Sequence, residues 1–242
     1  DEVTLPYSVT GLGFVVEAPR IFELNDTSIN TNDDKDKQIG FQVPEMDPLI
    51  FWDSVGAPCA TNGKVYFVAM NTVFVLENGK AKLFAGKPDL DATKDYTHRL
   101  HVGLRGIIGL KCANDVVYVA ENYSNTNYPV RILGLHQEGP VEVFVDETAG
   151  FFAGKRFTDF AVNSKKEVFF SRDNYIYKVI ANKNYQIIAG TNTGIDADGL
   201  PANETKLNGV FDLNVGPDDE LYFFDSTRGY AATRLRKIDK EG

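Results

Sequence analysis

EVFFSRDNYIYKVI, residues 167–180, consists of two short apolar runs separated by Asp173-Asn174. Aromatic and β-branched residues crowd both runs, which suits a pleated, half-buried strand better than a helix. The same couplet returns as GFVVEAPRIFEL (13–24), KVYFVAMNTVFVL (64–76), VVYVAENYSNTNYPVRIL (116–133) and ELYFFDSTRGYAATRLRKI (220–238). The matched aromatics Phe14, Tyr66, Tyr118, Phe169 and Tyr222 stand 52, 52, 51 and 53 residues apart. A fixed period of this length marks a repeat architecture.

Four strands fit in each unit. Repeat 4 divides into 157–164, 167–172, 175–181 and 185–190, with polar turns between them, and repeat 2 into 54–61, 64–69, 72–77 and 80–86. Asn62-Gly63 and Asn78-Gly79 join strands of repeat 2, and Asn-Gly between apolar runs is a strong hairpin signal because both turn residues take positive φ. Tight hairpins make successive strands antiparallel neighbours. A lone meander of this kind leaves both faces apolar, and stacking copies face to face around an axis buries them. The expected fold is therefore all-β: a β-propeller of four-stranded antiparallel blades in a single domain, five- or six-bladed when complete. Its repeats span about 1–48, 49–104, 105–156, 157–208 and 209–242.

The fifth unit supplies only 209–216, 220–225 and 233–239, so its outermost strand is missing, while 3–9 and 38–43 are taken as the first and fourth strands of repeat 1. Three expectations stand together. The polypeptide continues beyond Gly242, or residues 3–9 serve another place, or the open edge takes a strand from another molecule, as exposed edges do.

Composition narrows the function classes. A 43% hydrophobic fraction with 17 Phe and 11 Tyr supplies a core, and no apolar run approaches a membrane span. The formal charge of −9 argues against nucleic acid, which needs a basic footprint. The chain opens Asp1-Glu2 without a methionine, as a processed or partial polypeptide does. Asn-x-Ser/Thr patterns at Asn25, Asn122 and Asn203 are candidate glycosylation sites and favour an extracellular or cell-surface location. Cys59 and Cys112 hold the same place in consecutive repeats and are read as two small buried apolar side chains.

Residues 189–239 resemble an NHL repeat. The resemblance rests on Asp196-Ala197-Asp198-Gly199-Leu200-Pro201-Ala202, Leu207, the strand 211–215, Asp218-Asp219, the strand 221–225 and the basic strand 234–238. Repeat 3 agrees more loosely through 117–121 and 130–133, and the other units share the period. The resemblance implies a propeller whose usual task is binding proteins, glycans or nucleic acid, with enzymes a minority. It also implies that Asp225 is a fold residue that bonds a turn. Amidating lyases of this type hold zinc with several channel histidines, and a chain with three histidines lacks the number.

Candidate chemistry is sparse. His98 and His101, with Asp95 nearby, are the weak metal candidates of the connection between repeats 2 and 3. Asp196 and Asp198 are weak oxygen ligands for calcium, without the alternation of a dedicated calcium loop. Phe51 and Trp52 form an apolar cluster in a connection, a candidate anchor for a partner. Alternation puts Arg234, Arg236 and Ile238 on one solvent-facing side of the last strand. Residues 25–37 (NDTSINTNDDKDK) read as a solvated loop. No nucleophile elbow, phosphate loop or dinucleotide fingerprint occurs.

These observations lead to a non-enzymatic binding or scaffolding module recognising a protein or glycan through loops between blades, with no cofactor, no nucleic acid and no membrane insertion. One alternative is a structural subunit that self-associates through the repeat 5 edge. The other is a metal-dependent hydrolase or lyase with its site at a channel mouth.

Overall fold

The computed structural model describes residues 29–31, 39–41, 58–69, 71–77, 80–87, 94–122, 130–147, 150–152, 157–180, 184–226 and 233–239. They form β1 (Ile29–Thr31), β2 (Ile39–Phe41), β3 (Cys59–Thr61), β4 (Lys64–Ala69), β5 (Thr72–Glu77), β6 (Lys80–Ala85), β7 (Ile107–Ala113), β8 (Val116–Asn122) and β9 (Val130–Leu135). β10 (Glu142–Glu147), β11 (Asp159–Val162), β12 (Val168–Arg172), β13 (Tyr175–Ile180), β14 (Asn184–Ala189), β15 (Val210–Val215), β16 (Leu221–Ser226) and β17 (Thr233–Ile238) follow. Among the described residues the only helical element is a 3-10 turn, Gly150–Phe152.

The sheets are β3-β4-β5-β6, β7-β8-β9-β10 and β11-β12-β13-β14, each four-stranded, then the three-stranded β15-β16-β17 and the hairpin β1-β2. Strand order follows chain order throughout, as tight hairpin connections require. The fold is all-β, built of the four-stranded antiparallel meanders that form propeller blades. Residues 3–9 and the couplet 13–24 lie outside the described residues. Ile29–Thr31 corrects the expectation of a loop over 25–37, because it pairs antiparallel with Ile39–Phe41. β-branched Ile29 and Thr31 have the propensity for a strand.

The chain divides into two compact units, residues 1–119 with 135–142 and residues 120–134 with 143–242. In the first, β3 lies beside β7, so the first strands of two successive sheets are neighbours. Cys59 and Cys112 sit on these strands with Cα atoms 5.5 Å apart and form a disulfide. This corrects the reading of two separate apolar thiols: the side-by-side approach of first strands brings the pair inside bonding range. Two residues beyond Cys59, the Thr61 hydroxyl donates to the Asp115 carboxylate at 3.3 Å.

In the second unit β11 lies beside β15 in the same manner. The Thr158 hydroxyl donates to the Val210 carbonyl at 2.8 Å, and the Leu213 amide to Asp159 at 2.6 Å. Phe169, Ile176 and Ala189 of one sheet share a core with Val210, Leu213, Leu221 and Phe223 of the next. Behind it, Phe151, Phe152, Phe170, Tyr177 and Tyr185 pack with ring centroids 4.9–5.7 Å apart in most pairs. Aromatic pairs of this kind add about 1 kcal/mol each beyond the area they bury.

The hairpin between first and second strands recurs with the same backbone. Gly63, Asp115, Lys166 and Asp219 precede the matched aromatics by three residues, and their φ angles are 68°, 64°, 62° and 63°. The repeat is thus legible in the backbone at a position shared by a glycine, a lysine and two aspartates.

Candidate binding edge

The third strands of three sheets can be aligned by their register. Tyr66 pairs with Val75, Phe169 with Lys178 and Tyr222 with Lys237, so Val73, Ile176 and Leu235 are equivalent. In the complete sheets a fourth strand covers this edge from Val73 to Glu77 and from Ile176 to Ile180. The equivalent stretch of β17 and its flank is Leu235 to Asp239. Among the described residues β16 pairs with one side of it, and no strand pairs with the other.

A groove of about 550 Å³ runs along that stretch, lined by all of Leu235, Arg236, Lys237, Ile238 and Asp239. Its opposite wall is the connection through Leu200, Pro201 and Ala202, and its floor includes Ala189, Leu207 and Phe223. Leu235 is 65% exposed, whereas Val73 and Ile176 are 0% exposed. Part of the difference is that no fourth strand covers β17 among the described residues. The rest is that Ile176 packs against the following sheet, and the face bearing Leu235 has no following sheet among the described residues.

The other face of β17 is locked down. The Asp225 carboxylate, fully buried, accepts the Asn208 amide at 2.8 Å, Arg234 at 3.1 Å and Arg236 at 2.9 Å. Asp196 takes Arg234 and, at 2.9 Å, the Asn208 side chain, and the Arg234 guanidinium holds the Asp196 carboxyl below its ordinary range. Arg236 also reaches the Ala197 carbonyl at 2.7 Å and Asp198 at 2.8 Å. Arg234 and Arg236 therefore do not face open solvent as alternation alone suggests. The Asp-rich connection folds back over them and neutralises them, so this face fixes the groove wall instead of offering a cationic surface.

The remaining candidates are placed as follows. In the connection between repeats 2 and 3, Asp95 accepts the Thr97 amide at 3.1 Å and its hydroxyl at 2.5 Å. Thr97 also bonds His101 Nδ1 at 3.0 Å, while His98 Nδ1 accepts the Leu100 amide at 3.2 Å. The Thr97 hydrogen bonds hold the Asp95 carboxyl below its usual range. Each ring thus serves the turn, and among the described residues no three His, Cys, Asp or Glu side chains converge as a metal site. Asp196 and Asp198 are engaged by arginines, as above.

Asn122 turns inward: its Nδ2, the atom that would carry a glycan, donates to the Phe157 carbonyl at 2.6 Å. Asn203 is exposed on a turn closed by Glu204 and Pro201. Asn25, Phe51 and Trp52 lie outside the described residues.

Two further constellations lie outside the candidates read from the sequence. Arg99 donates to the carbonyls of Gln137 at 3.1 Å and Phe84 at 2.5 Å and lies 4.7 Å over the Phe84 ring. Gln137 in turn donates to the Tyr66 hydroxyl at 2.7 Å, tying the 94–105 connection to the β3–β6 sheet. Glu121 and Arg131 form an ion pair at 2.6 Å with both side chains essentially fully buried. Glu121 stands at the register of Asp225, three residues after the matched tyrosine, so a search for basic partners on the third strand finds both pairs.

Solved structures with similar architecture share little sequence. A structural genomics protein of unknown function from Bacteroides thetaiotaomicron is 17% identical, with 84% of this chain and 50% of that one aligned and a TM-score of 0.49. Virginiamycin B lyase from Staphylococcus aureus is 14% identical over 84% of this chain and 62% of its own, with a TM-score of 0.46. XC5397, a gluconolactonase from Xanthomonas campestris, is 12% identical over 81% and 62%, with a TM-score of 0.47. The chain spans between half and two thirds of the length of these proteins. No family model and no curated protein matches the sequence.

Proposed function

We propose that the chain is a non-enzymatic binding or scaffolding module of the NHL-like kind, and that the edge of β17 is where it takes an extended segment of a protein. The observation that supports this reading is the coincidence of the groove with residues 235–239, the stretch that a fourth strand covers in complete sheets. Added strands gain affinity from main-chain hydrogen bonds and specificity from alternate side chains. The NHL-like sequence over 189–239 builds both walls of this groove.

We place the module in an oxidising compartment outside the cytoplasm. The Cys59–Cys112 disulfide supports this, because such bonds are rare where thiols are kept reduced. Exposed Asn203 is then a candidate glycan acceptor.

Amide hydrogen exchange of the isolated chain tests the reading. The β17 amides are expected to exchange well ahead of those of β5 and β13, whose edges are covered. Equal protection of the three strands would overturn it.

A further inference from the structure

The disulfide spans a joint of a kind that the chain also builds without one. In the first unit Cys59 pairs with the matched aromatic Tyr66, and in the second Ala161 pairs with the matched Phe169. Cys59 and Ala161 therefore hold the same register on the first strands β3 and β11. β3 lies beside β7, and β11 lies beside β15. Ala161 is 1% exposed and shares a core with Val210, Leu213 and Leu221 of the neighbouring sheet. The chain has two cysteines, both in the β3–β7 joint, so the β11–β15 joint closes on packing and hydrogen bonds.

Both joints also carry a hydroxyl-to-carboxylate contact, Thr61 to Asp115 at 3.3 Å and Ser164 to Asp219. The side-by-side approach of first strands thus follows from a small residue at the register of the matched aromatic and from this contact. Cys59 adds a covalent bond to an arrangement that alanine supports in the second unit.

The two positions differ in access. Cys59 and Cys112 are half-buried, as are Ala60, Thr61, Lys111 and Ala113 beside them, and the turns at 62–63 and 114–115 are exposed. A disulfide at such a surface can be met by a thiolate while the chain stays folded, whereas a bond sealed in a core cannot.

We infer that Cys59–Cys112 is a thiol–disulfide switch, worked in the folded chain by an external dithiol, that sets how firmly β3 is held against β7. One thiolate of the dithiol attacks a cysteine sulfur. The S–S bond breaks, and its electron pair leaves on the other cysteine, which takes up a proton. The second thiolate then attacks the mixed disulfide and releases the first cysteine, which is protonated in turn. Two electrons pass to the protein, and the dithiol ends as its own disulfide. The reduced joint keeps its packing and its Thr61–Asp115 contact, so the sheets persist. What it loses is the restraint on local opening of β3. This device is independent of the β17 edge.

Dithiothreitol added to the full chain tests the inference, with thiols counted by alkylation and intact mass. The native reduction rate is expected to lie within about a hundredfold of the rate in urea. The reduced chain and Cys59→Ala/Cys112→Ala should keep the circular dichroism of the oxidised chain, while β3 amides exchange at least about tenfold faster. Thr61→Val should speed β3 exchange severalfold in the reduced chain and leave it nearly unchanged in the oxidised one, because bond and hydroxyl hold the same joint. Native reduction slower than that hundredfold limit overturns the switch, since the sulfurs are then reached only by unfolding. Loss of the sheet signal on reduction also overturns it. So does β3 exchange that reduction leaves unchanged, or an equal effect of Thr61→Val in both forms.

Discussion

Ser164 donates both its amide, at 2.8 Å, and its hydroxyl, at 2.5 Å, to the carboxylate of Asp219. Ser164 precedes its matched aromatic Phe169 by five residues, and Asp219 precedes Tyr222 by three. Thr61 and Asp115 hold the same two positions in repeats 2 and 3 and make the same kind of contact at 3.3 Å. One inter-sheet clasp is therefore used twice. Ala113 and Lys166 occupy those positions between repeats 3 and 4 and cannot make it.

Asp219→Asn keeps a residue that tolerates φ of 63° but loses the charge that strengthens two hydrogen bonds. At this exposed site the expected cost is about 1 kcal/mol. Asp115→Asn, with its one longer bond, costs less. Urea unfolding of both variants checks the order, and equal midpoints for Asp219→Asn and the parent would contradict it.

The Cys59–Cys112 bond closes a loop of 53 residues. On the chain-entropy model a loop of that size corresponds to about 4 kcal/mol at 25 °C. Cys59→Ser/Cys112→Ser, or the parent in excess reductant, should show an unfolding midpoint lowered to match a loss of that order. Intact mass should be lower by two hydrogens than for the reduced chain. A parent with two alkylatable thiols in its native state would contradict the bond.

Glu121 and Arg131 are 1% and 0% exposed, so removing either alone strands a charge in the core. Glu121→Ala should cost about 3–5 kcal/mol, while the double change Glu121→Leu/Arg131→Met should cost clearly less than the single one. Thermal unfolding of the two proteins decides it. A double variant less stable than Glu121→Ala would show that the pair contributes more than mutual neutralisation.

Acid should weaken the second unit. Arg234 depresses the Asp196 carboxyl and Lys178 that of Glu167, so both stay ionised in the folded chain at a pH where the unfolded chain binds protons. Their contribution is present above the ordinary carboxylate range, near pH 4, and is lost as pH falls through the lower folded values. Asp196→Asn should flatten stability against pH between about 5 and 2. Burial pushes the Tyr118 hydroxyl up to about 12. Its contribution to stability is intact below the ordinary tyrosine range near 10 and fades as pH rises toward 12. Tyr66, Tyr177 and Tyr185 are also pushed up by burial, so ultraviolet absorbance should show several phenols ionising late in the native protein, with the late amplitude smaller by one tyrosine in Tyr118→Phe.

Most of the fold was legible because strands have a local cause. Alternation and turn residues predicted 64–69 and 72–77, and β4 and β5 form there without a shift. What stayed hidden depends on which segments meet. The matched places of Cys59 and Cys112 in consecutive repeats did not say that first strands approach to 5.5 Å, and nothing in the strand 233–238 says that Asp196 and Asp198 fold back onto Arg234 and Arg236. The uncovered third strand of repeat 5 was legible, but the groove beside it was not. Its far wall belongs to the connection before the repeat, and only the register of Val73, Ile176 and Leu235 relates the two.

The open edge is tested most directly by Leu235→Cys in the isolated chain, with its alkylation rate measured before and after unfolding in urea. A rate in the native protein close to that of the unfolded chain is expected, since Leu235 is 65% exposed. A native rate slowed about a hundredfold, as for a residue covered like Ile176, would mean that a strand or a sheet already covers Leu235 and would contradict the open edge.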